Sequence, residues 1–373
     1  MPSFFFLSVC PRSPPPVASP KLSFRAQRGI CFFFLCDLCV SAPLCDKSFS
    51  RLFLPRRRCD YTYPIVPATK TSSKRPIRKS RVPSTPATNW TTRAWRGIQL
   101  LQIPALSKLP WLVHAFSTAP GGISPLANEK VLNLGFTDWD TRENVLENRR
   151  RFQTAAGAKD LPLITLKQFH SDVIQLFDGA PSDPCRGDAS ITNRPNLLLA
   201  IQTADCVPIL LVDPKKRAIA AIHAGWRGTL ARIAAKTIGK MQMLFGSDPR
   251  HLLAAIGPSI GPCCYEVGTE VATQFLSQFA EAPDWFDEFR TGDEPNPVQW
   301  LNMMPPGHQP PPKNVLLDLR KANRAQLLTA GLRAPNIFVS DLCTACRRDL
   351  FFSYRKEGAA SGRLMSVIGI RQV

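Results

Sequence analysis

The chain has 373 residues and a formal net charge of +19, a length that suits one large domain or two ordinary ones. The first 100 residues carry 17 Lys and Arg against 3 Asp and Glu, which leaves a net charge of only +5 on the rest and little reason to expect a nucleic-acid partner. No uninterrupted apolar run approaches the roughly 18 residues that a membrane-spanning helix needs, so we expect no membrane partner either.

Residues 1–92 are predicted to be a basic, low-complexity extension rather than a folded domain. Prolines cluster at 14–16 and arginines at 56–58, and the phenylalanine triplets show neither a helical nor a strand period. Three interpretations stay open: a targeting leader, a basic tail that contacts polyanions, or upstream sequence translated from a misassigned start. We favour the last, although the absence of methionine between Met1 and Met241 counts against it.

Residues 93–373 alternate short apolar runs with amphipathic stretches, as expected of one folded body. Strands are predicted at 111–117, 161–166, 197–201, 207–212, 218–222, 252–256, 336–339 and 364–370, helices at 141–152, 229–245, 269–279 and 318–330, and loops at 118–124, 257–262 and 281–313. Because the strands join through hairpin-like turns as well as through helices, the pattern favours an α+β fold over a purely parallel sheet.

The stretch 203–228 places two side chains that can bind soft metals at the ends of a predicted hairpin. The apolar runs 207–212 and 218–222 flank a polar turn that contains proline, a pattern typical of paired strands. Antiparallel pairing would return His223 to the level of Cys206. The thiol and the imidazole are therefore predicted to lie close together.

A third candidate ligand, His170, also follows an apolar run. Two imidazoles and one thiolate form a known catalytic zinc set that leaves a fourth position open. Taken one at a time, each residue is more often a buried core side chain than a ligand. Asp205 could orient a ligand or act as a base, although on a strand it would point away from Cys206.

Two arginines are candidate phosphate contacts. Arg227 lies between two glycines directly after the hairpin, and its guanidinium is a fixed fork for phosphate or carboxylate. Arg355 belongs to a basic and aromatic segment that also contains Arg363 and Tyr354. This segment could bind phosphate and a stacked base, or it could be an ordinary solvated face.

The six cysteines after residue 100 show no spacing of a secreted disulfide scaffold, which predicts a cytoplasmic protein. Cys343 and Cys346 form a single CxxC pair, and Cys263 and Cys264 are adjacent. One CxxC without a second is weak evidence for a metal or redox site. We therefore expect these four thiols to serve mainly in packing.

Several motifs together resemble one known family. In chain order they are HAFSTAPGGIS at 114–124, LNLG at 132–135, QFHSDVI at 168–174 and GDASIT at 187–192, then TADCVPILL, AAIHAGWRG, IGPSIGPCCYEVG, LCTAC and FFSYR. The chain resembles the YfiH family, whose members are also called polyphenol oxidoreductase laccases, purine nucleoside phosphorylases or peptidoglycan editing factors. The resemblance extends over about residues 95–370.

The resemblance implies a single α+β domain of layered mixed sheets flanked by helices. It also implies zinc bound by His170, Cys206 and His223, and phosphorolysis of purine nucleosides (adenosine, inosine, methylthioadenosine) with some adenosine deamination. For this chemistry we expect Cys206, His223, Arg227 and Asp205 to be the catalytic residues, with Arg227 as the first candidate for phosphate binding and Arg355 as the second. We expect a monomer or a homodimer. One departure is Ala119, where the family usually has arginine.

Alternatives from other classes stay open. They are a peptidoglycan editing factor that acts on muropeptide precursors, a copper-dependent polyphenol oxidase, and a non-catalytic binding module stabilised by zinc. A multicopper oxidase of the blue-copper type needs about ten histidines for its copper centres, and this chain has only five. That mechanism is excluded, whereas copper at the same three ligands is not.

Overall fold

The computed structural model describes residues 90–287 and 314–372, all of which belong to one compact unit. The first described strand, β1, spans Thr91–Trp95. The predicted extension at 1–92 lies almost entirely outside the described residues, and so does most of the predicted loop at 281–313. The interpretations of both segments therefore stay predictions.

The first large sheet is mixed and has the strand order β1-β2-β3-β17-β9-β6. Its other strands are β2 (Ile98–Gln102), β3 (Leu112–Ser117), β6 (Leu163–Ile164), β9 (Leu197–Thr203) and β17 (Leu364–Ile370). The C-terminal strand β17 pairs antiparallel with both β3 and β9, and only β6 joins in parallel. The end of the chain thus lies at the centre of this sheet.

The second large sheet, also mixed, has the order β16-β12-β10-β11-β8-β7. Its strands are β7 (Ile174–Leu176), β8 (Ala189–Thr192), β10 (Val207–Asp213), β11 (Ala218–Ala224), β12 (Leu253–Ile256) and β16 (Ile337–Val339). The predicted hairpin is β10–β11, paired antiparallel from Val207 opposite Ala224 to Asp213 opposite Ala218. Asp213 Oδ1 accepts hydrogen bonds from the backbone N–H groups of Lys215 and Lys216 and so closes the turn.

Short strands and helices complete the described part. A two-stranded sheet joins β4 (Pro120–Leu126) to β5 (Glu129–Val131), and a three-stranded one joins β13 (Glu266–Val267), β15 (Val315–Leu317) and β14 (Phe286–Asp287). The helices are α1 (Pro104–Ser107), α2 (Arg142–Ala155), α3 (Trp226–Leu230), α4 (Ile233–Phe245), α5 (Thr269–Gln278), α6 (Leu319–Thr329) and α7 (Tyr354–Glu357). None of the helices within 90–287 and 314–372 has the length and apolar character needed to cross a membrane.

The two large sheets pack face to face between layers of helix. On β10, Leu210 and Val212 pack with residues of the first sheet such as Leu199, whereas the alternate residues Ile209 and Leu211 pack against α4, α5 and α6. Helix α2 covers the outer face of the first sheet. Because β10 is buried on both faces, its sequence is a continuous apolar run rather than an alternating one. The predicted α+β fold of layered mixed sheets is confirmed.

The predicted helix at 229–245 is wrong in one respect, because α3 and α4 are separate helices. Arg232 between them adopts a left-handed conformation with φ of 59°. At this break the carbonyl of Thr229 accepts a hydrogen bond of 3.0 Å from the Arg232 N–H and one of 2.7 Å from the Gln326 side chain of α6. A continuous helix would use that carbonyl for the N–H of residue 233. A polar partner almost a hundred residues away thus satisfies the carbonyl where the helix is interrupted.

Two predicted loops contain regular structure. Residues 120–124 belong to β4, which pairs with β5 through an irregular register around the paired glycines. At 282–287, Trp285 and Phe286 are buried and meet the Phe275 ring with centroid distances of 6.1 and 6.2 Å. The beginning of the predicted exposed loop is therefore part of the core, and residues 288–313 lie outside the described residues.

Candidate active site

Three elements bring together the predicted metal ligands. His170 lies in the loop before β7, Cys206 immediately precedes β10, and His223 is the penultimate residue of β11. The hairpin register places His223 opposite Pro208, which lies two residues after Cys206 in the chain. The ligand atoms of all three residues lie within 4.8 Å of one another. We call this group the His-Cys-His centre.

Close contacts define the shape of the His-Cys-His centre. The Cys206 Sγ atom lies 3.8 Å from His170 Nε2, and the two imidazole rings meet edge to face with centroids 4.9 Å apart. A Cβ atom added to Gly225 would lie 2.9 Å from His170 Cδ2 and 3.1 Å from Cys206 Sγ. Glycine is therefore required at 225 so that the backbone can pass beside the ligands.

A buried carboxylate, Asp188, holds both histidine segments. Its Oδ1 atom lies 2.8 Å from His223 Nδ1 and accepts a hydrogen bond of 3.0 Å from the His170 backbone N–H. Its Oδ2 atom accepts hydrogen bonds from the backbone N–H and the hydroxyl of Ser171 at 2.7 and 2.6 Å. Asp188 belongs to the GDASIT motif at 187–192, but no role was predicted for it. The signal available in the sequence was an acidic residue directly before a short strand.

Coupled charges shift the pKa values of the centre. Burial alone would raise the pKa of Cys206, but the His223 charge and hydrogen bonds from both histidines lower it to about 6. Burial alone would lower the pKa of His223, but the Cys206 thiolate and Asp188 raise it to about 9. For Asp188, hydrogen bonds from His223 and Ser171 outweigh burial and lower the pKa to about 2. The centre therefore favours a thiolate beside an imidazolium.

The donor set fits a metal ion. Two imidazole nitrogens and one thiolate form a zinc set with an open fourth position, and the same donors also suit copper. His223 Nδ1 faces Asp188, so Nε2 is the nitrogen left for a metal ion. A carboxylate in this position fixes the tautomer and orientation of metal-bound histidines. Residues His170, Cys206 and His223 could therefore hold one metal ion, and their role as ligands stays a prediction.

The His-Cys-His centre opens into a pocket of about 610 Å³. This volume lies within the range of roughly 300–1,000 Å³ that small-molecule sites occupy. Besides the three residues of the centre and Asp205, the pocket lining includes the polar residues Gln168, Gln202 and Thr203, the aromatic residues Trp226, Tyr265 and Tyr354, and the arginines Arg227, Arg355 and Arg363. Burial raises the pKa of the Tyr265 hydroxyl, so this group stays a neutral donor at physiological pH.

Three arginines in the pocket differ in how they are held. Arg355 donates from Nη1 to the carbonyl of Glu266 at 2.7 Å, and Arg363 donates from Nη1 to two nearby carbonyls at 2.9 and 3.0 Å. The Arg227 guanidinium lies 4.5 Å from the centroid of the Trp226 ring, and no residue in 90–287 or 314–372 accepts a hydrogen bond from it. Arg227 is therefore the cation most available to a ligand.

Asp205 differs from expectation, because it is not on a strand. It lies between β9 and β10 with φ of 91°, so strand alternation does not decide where its side chain points. Its Oδ1 accepts from the Thr344 hydroxyl and its Oδ2 from the Arg355 backbone N–H, both at 2.6 Å. These contacts favour the orienting role over the base, and the catalytic role of Asp205 stays a prediction.

Ala119, the position where the family usually has arginine, is buried and does not line the pocket. Its backbone is fixed on both sides, since its N–H donates to the carbonyl of Leu350 at 2.7 Å and its carbonyl accepts from Leu132 at 2.6 Å. Arginine cations in the pocket therefore come from other positions, among them Arg363.

A second cluster of potential ligands is formed by Cys263, Cys264, Cys343 and Cys346, whose sulfur atoms all lie within 4.8 Å of one another. We call this group the four-thiol cluster. The two cysteine pairs were expected to serve separately in packing. The structure instead joins them, because the loop after β12 meets the loop after β16 through an isolated bridge between Ser259 and Cys343.

Comparison with known proteins agrees with the motif-based resemblance. Residues 113–371 match the family described as multi-copper polyphenol oxidoreductase laccase. The chain belongs to this family. The match includes every residue of the His-Cys-His centre and of the four-thiol cluster, as well as the arginines of the pocket.

Relatives in this laccase-like family include proteins named as phosphorylases. A purine nucleoside phosphorylase from Deinococcus radiodurans is 38% identical over 276 residues, which cover 74% of this chain and 94% of the relative. The purine nucleoside phosphorylase YfiH of Escherichia coli is 34% identical and covers 68% of this chain and 91% of its own length. The resemblance to the YfiH family is confirmed.

Solved structures support the same assignment. The crystal structure of the Bacillus licheniformis hypothetical protein YfiH has a TM-score of 0.63 at 30% identity and covers 75% of this chain and 99% of its own. The structure of YlmD from Geobacillus stearothermophilus has a TM-score of 0.61 at 30% identity, over 76% and 99% of the two chains. Both share the fold described above.

Proposed function

We propose that this chain is a zinc-dependent purine nucleoside phosphorylase that converts adenosine, inosine or methylthioadenosine and phosphate into the free base and ribose 1-phosphate or its methylthio counterpart. In this reaction a phosphate oxygen forms a bond to C1′ of the sugar. The bond between C1′ and the base nitrogen breaks, and its electron pair leaves with the base. The observation that carries the proposal is a single pocket in which the His-Cys-His centre faces aromatic rings and an available Arg227.

Phosphate binding is assigned first to Arg227. Its planar guanidinium can donate two parallel hydrogen bonds to phosphate, and stacking on Trp226 holds it without using those donors. Arg355 is a weaker candidate, because one of its donors already serves the Glu266 carbonyl. The remaining pocket wall contains Tyr265 and Tyr354, whose rings suit a stacked purine.

The residues around the His-Cys-His centre fit zinc, with His170, Cys206 and His223 as its ligands. When bound, zinc supplies Lewis acidity, which stabilises negative charge on a departing base and activates water for adenosine deamination. Asp188 accepts from His223 Nδ1 and so leaves Nε2 for the centre. Asp205 positions the backbone at Arg355 and the hydroxyl of Thr344. We expect a cytoplasmic monomer or homodimer that uses nucleosides and phosphate as its small-molecule partners.

The proposal is tested by chromatography of adenosine and inosine incubated with the zinc-loaded full-length chain, with and without phosphate. Free base and ribose 1-phosphate should appear only with phosphate, and inosine should form from adenosine in both conditions. Base release that is equally fast without phosphate would identify a hydrolase and contradict the proposal. Recovery of unchanged nucleosides under all conditions would contradict it as well.

A second candidate function is copper-dependent oxidation of phenols. The observation that favours it is the donor set, because two imidazoles and one thiolate also suit copper. Oxygen uptake with a phenol, measured on copper-loaded and zinc-loaded protein, separates the two candidates. A copper-loaded rate that depends on His223 would support this candidate, and equal rates for wild type and His223→Ala would exclude it.

A further inference from the structure

The four-thiol cluster is formed by two segments that are far apart in the sequence. Cys263 and Cys264 follow the turn at Gly261, and Cys343 and Cys346 lie in the loop after β16. The Cys346 sulfur lies 3.5 Å from the sulfur of Cys263 and 3.4 Å from that of Cys264. Cys343 is buried, Cys264 is half-buried, and the other two thiols are exposed.

The spacing of these sulfurs suits a shared cation. Four thiolates at about 2.3 Å from a tetrahedral zinc ion lie about 3.8 Å from one another. The sulfur atoms here are at 3.4 and 3.5 Å for two pairs and within 4.8 Å for all pairs. A disulfide needs about 2.0 Å between sulfur atoms, so the geometry describes free thiols around a common centre.

The surrounding backbone is shaped for sulfur ligands. The N–H of Gly261 donates to Cys343 Sγ at 3.2 Å, a contact that stabilises negative charge on a buried sulfur. A Cβ atom at Gly261 would lie 3.3 Å from both Cys263 Sγ and Cys343 Cβ, so any side chain there would crowd the cluster. The Arg347 N–H donates to the carbonyl of Cys343 at 3.0 Å and closes the CxxC turn.

We propose that the four-thiol cluster binds one soft divalent cation of the zinc class in a closed tetrahedral site, separate from the His-Cys-His centre. Each thiol releases its proton to solvent as its sulfur bonds to the cation. Because all four positions are filled by the protein, no position is left for substrate or water, and the site is structural. The proposal is independent of the reaction assigned to the pocket.

The cluster also explains how one wall of the pocket is held. Thr344, between the two cysteines of the CxxC pair, donates to Asp205 Oδ1, and the N–H of Ile260 donates to the Asp205 carbonyl at 2.9 Å. Tyr265, which lines the pocket, directly follows Cys264. A cation that joins the two loops therefore supports Asp205 and Tyr265 from outside the pocket.

Metal content measured on the full-length chain tests the proposal. Wild type, Cys206→Ala and Cys263→Ser are stripped of metal, reconstituted with zinc, desalted and analysed by plasma mass spectrometry. We expect about two zinc ions per chain in wild type and about one in each variant, with Cys206→Ala as the reciprocal control. A Cys263→Ser protein with the same zinc content as wild type would overturn the proposal.

X-ray absorption at the zinc edge supplies a second measurement that leaves the cluster unmutated. In Cys206→Ala the remaining zinc should have four sulfur neighbours at about 2.3 Å and no imidazole. Nitrogen neighbours, or an absence of bound zinc in this variant, would overturn the proposal. So would a disulfide at Cys346 in the reconstituted wild-type protein, detected by mass spectrometry without reduction.

Discussion

The His-Cys-His centre and the four-thiol cluster both gather potential metal ligands at the second sheet, but they differ in composition and access. The first combines two histidines with one thiol, is backed by the carboxylate of Asp188, and opens into the pocket. The second has four thiols and is backed by a backbone N–H. The difference separates an open site, suited to chemistry, from a closed one, suited to holding loops.

The thiol pKa values illustrate the same contrast. Burial, together with the neighbouring thiols of Cys346 and Cys343, raises the pKa of Cys264 to about 12, although its hydrogen bond with Cys263 acts in the opposite direction. Burial acts in the same sense on Cys206, yet the adjacent imidazolium reverses it and brings the pKa to about 6. The His-Cys-His centre thus carries its own compensating charge. The four-thiol cluster contains no imidazole, so we expect a bound cation to compensate the charge of its thiolates.

The largest expected effect is that of His223→Ala. Because this change removes a metal ligand and the partner of Asp188, we expect phosphorolysis and deamination both to fall by at least about 100-fold, on the scale of losing a preorganised charge-stabilising group. Product formation from adenosine and inosine measures both reactions. A His223→Ala protein that lacks zinc at the centre but phosphorolyses inosine at the wild-type rate would show that the reaction is independent of the metal.

The next effect is that of Arg227→Ala. If Arg227 holds phosphate through paired hydrogen bonds, phosphorolysis should fall by about 100- to 1,000-fold, whereas deamination should change much less because it uses no phosphate. Arg355→Ala is the matched comparison and should cost less, since its guanidinium already donates to the Glu266 carbonyl. Equal losses in both reactions for Arg227→Ala would place this arginine in nucleoside binding rather than phosphate binding.

Asp188→Asn should have an intermediate effect on the metal. Loss of a carboxylate behind a ligating histidine typically lowers metal affinity by about 10- to 100-fold, because the histidine loses its orientation and basicity. Competition with a chromogenic chelator measures the affinity of the His-Cys-His centre. The affinity of the four-thiol cluster, which has no contact with Asp188, should stay the same and serves as the internal control. A fall in both affinities would indicate general destabilisation.

The smallest expected effect concerns stability in acid. The pKa of Asp188 is lowered from 3.8 to about 2, so its contribution to the free energy of unfolding is present above pH 3.8 and is lost as the pH falls through about 2. The contribution is about 2 kcal/mol. Chemical denaturation of metal-free wild type and Asp188→Asn between pH 5 and 2 measures it as the difference in slope. Parallel curves for the two proteins would contradict this assignment.

Local sequence patterns predicted the parts of the fold that depend on neighbouring residues. The uninterrupted apolar run of β10, the polar turn at Asp213 and the small residues of β11 determine the hairpin and with it the approach of Cys206 to His223. Thr141, the first residue of the helix predicted at 141–152, is the cap of α2, since its hydroxyl accepts a hydrogen bond from the Asn144 N–H. Turn-forming residues, capping residues and strand periodicity are enough to predict these features from the sequence.

Features that depend on distant partners were not predictable from such patterns. At the break between α3 and α4 the Thr229 carbonyl accepts from the Gln326 side chain, and the approach of Asp188 to His223 requires β8 to pair with β11. The four sulfurs meet where two loops more than eighty residues apart are joined at Ser259. No periodicity encodes these long-range contacts, whereas the motif resemblance did indicate the group of His170, Cys206 and His223 that the structure brings together.

One paired measurement tests most directly the claim that the His-Cys-His centre is the reactive site and the four-thiol cluster the structural one. Zinc content and inosine phosphorolysis are determined on the same preparations of wild type, Cys206→Ala and Cys263→Ser. We predict that each variant loses about one zinc ion, that Cys206→Ala loses phosphorolysis, and that Cys263→Ser keeps most of it. Full phosphorolysis in Cys206→Ala, or a complete loss confined to Cys263→Ser, would contradict the account.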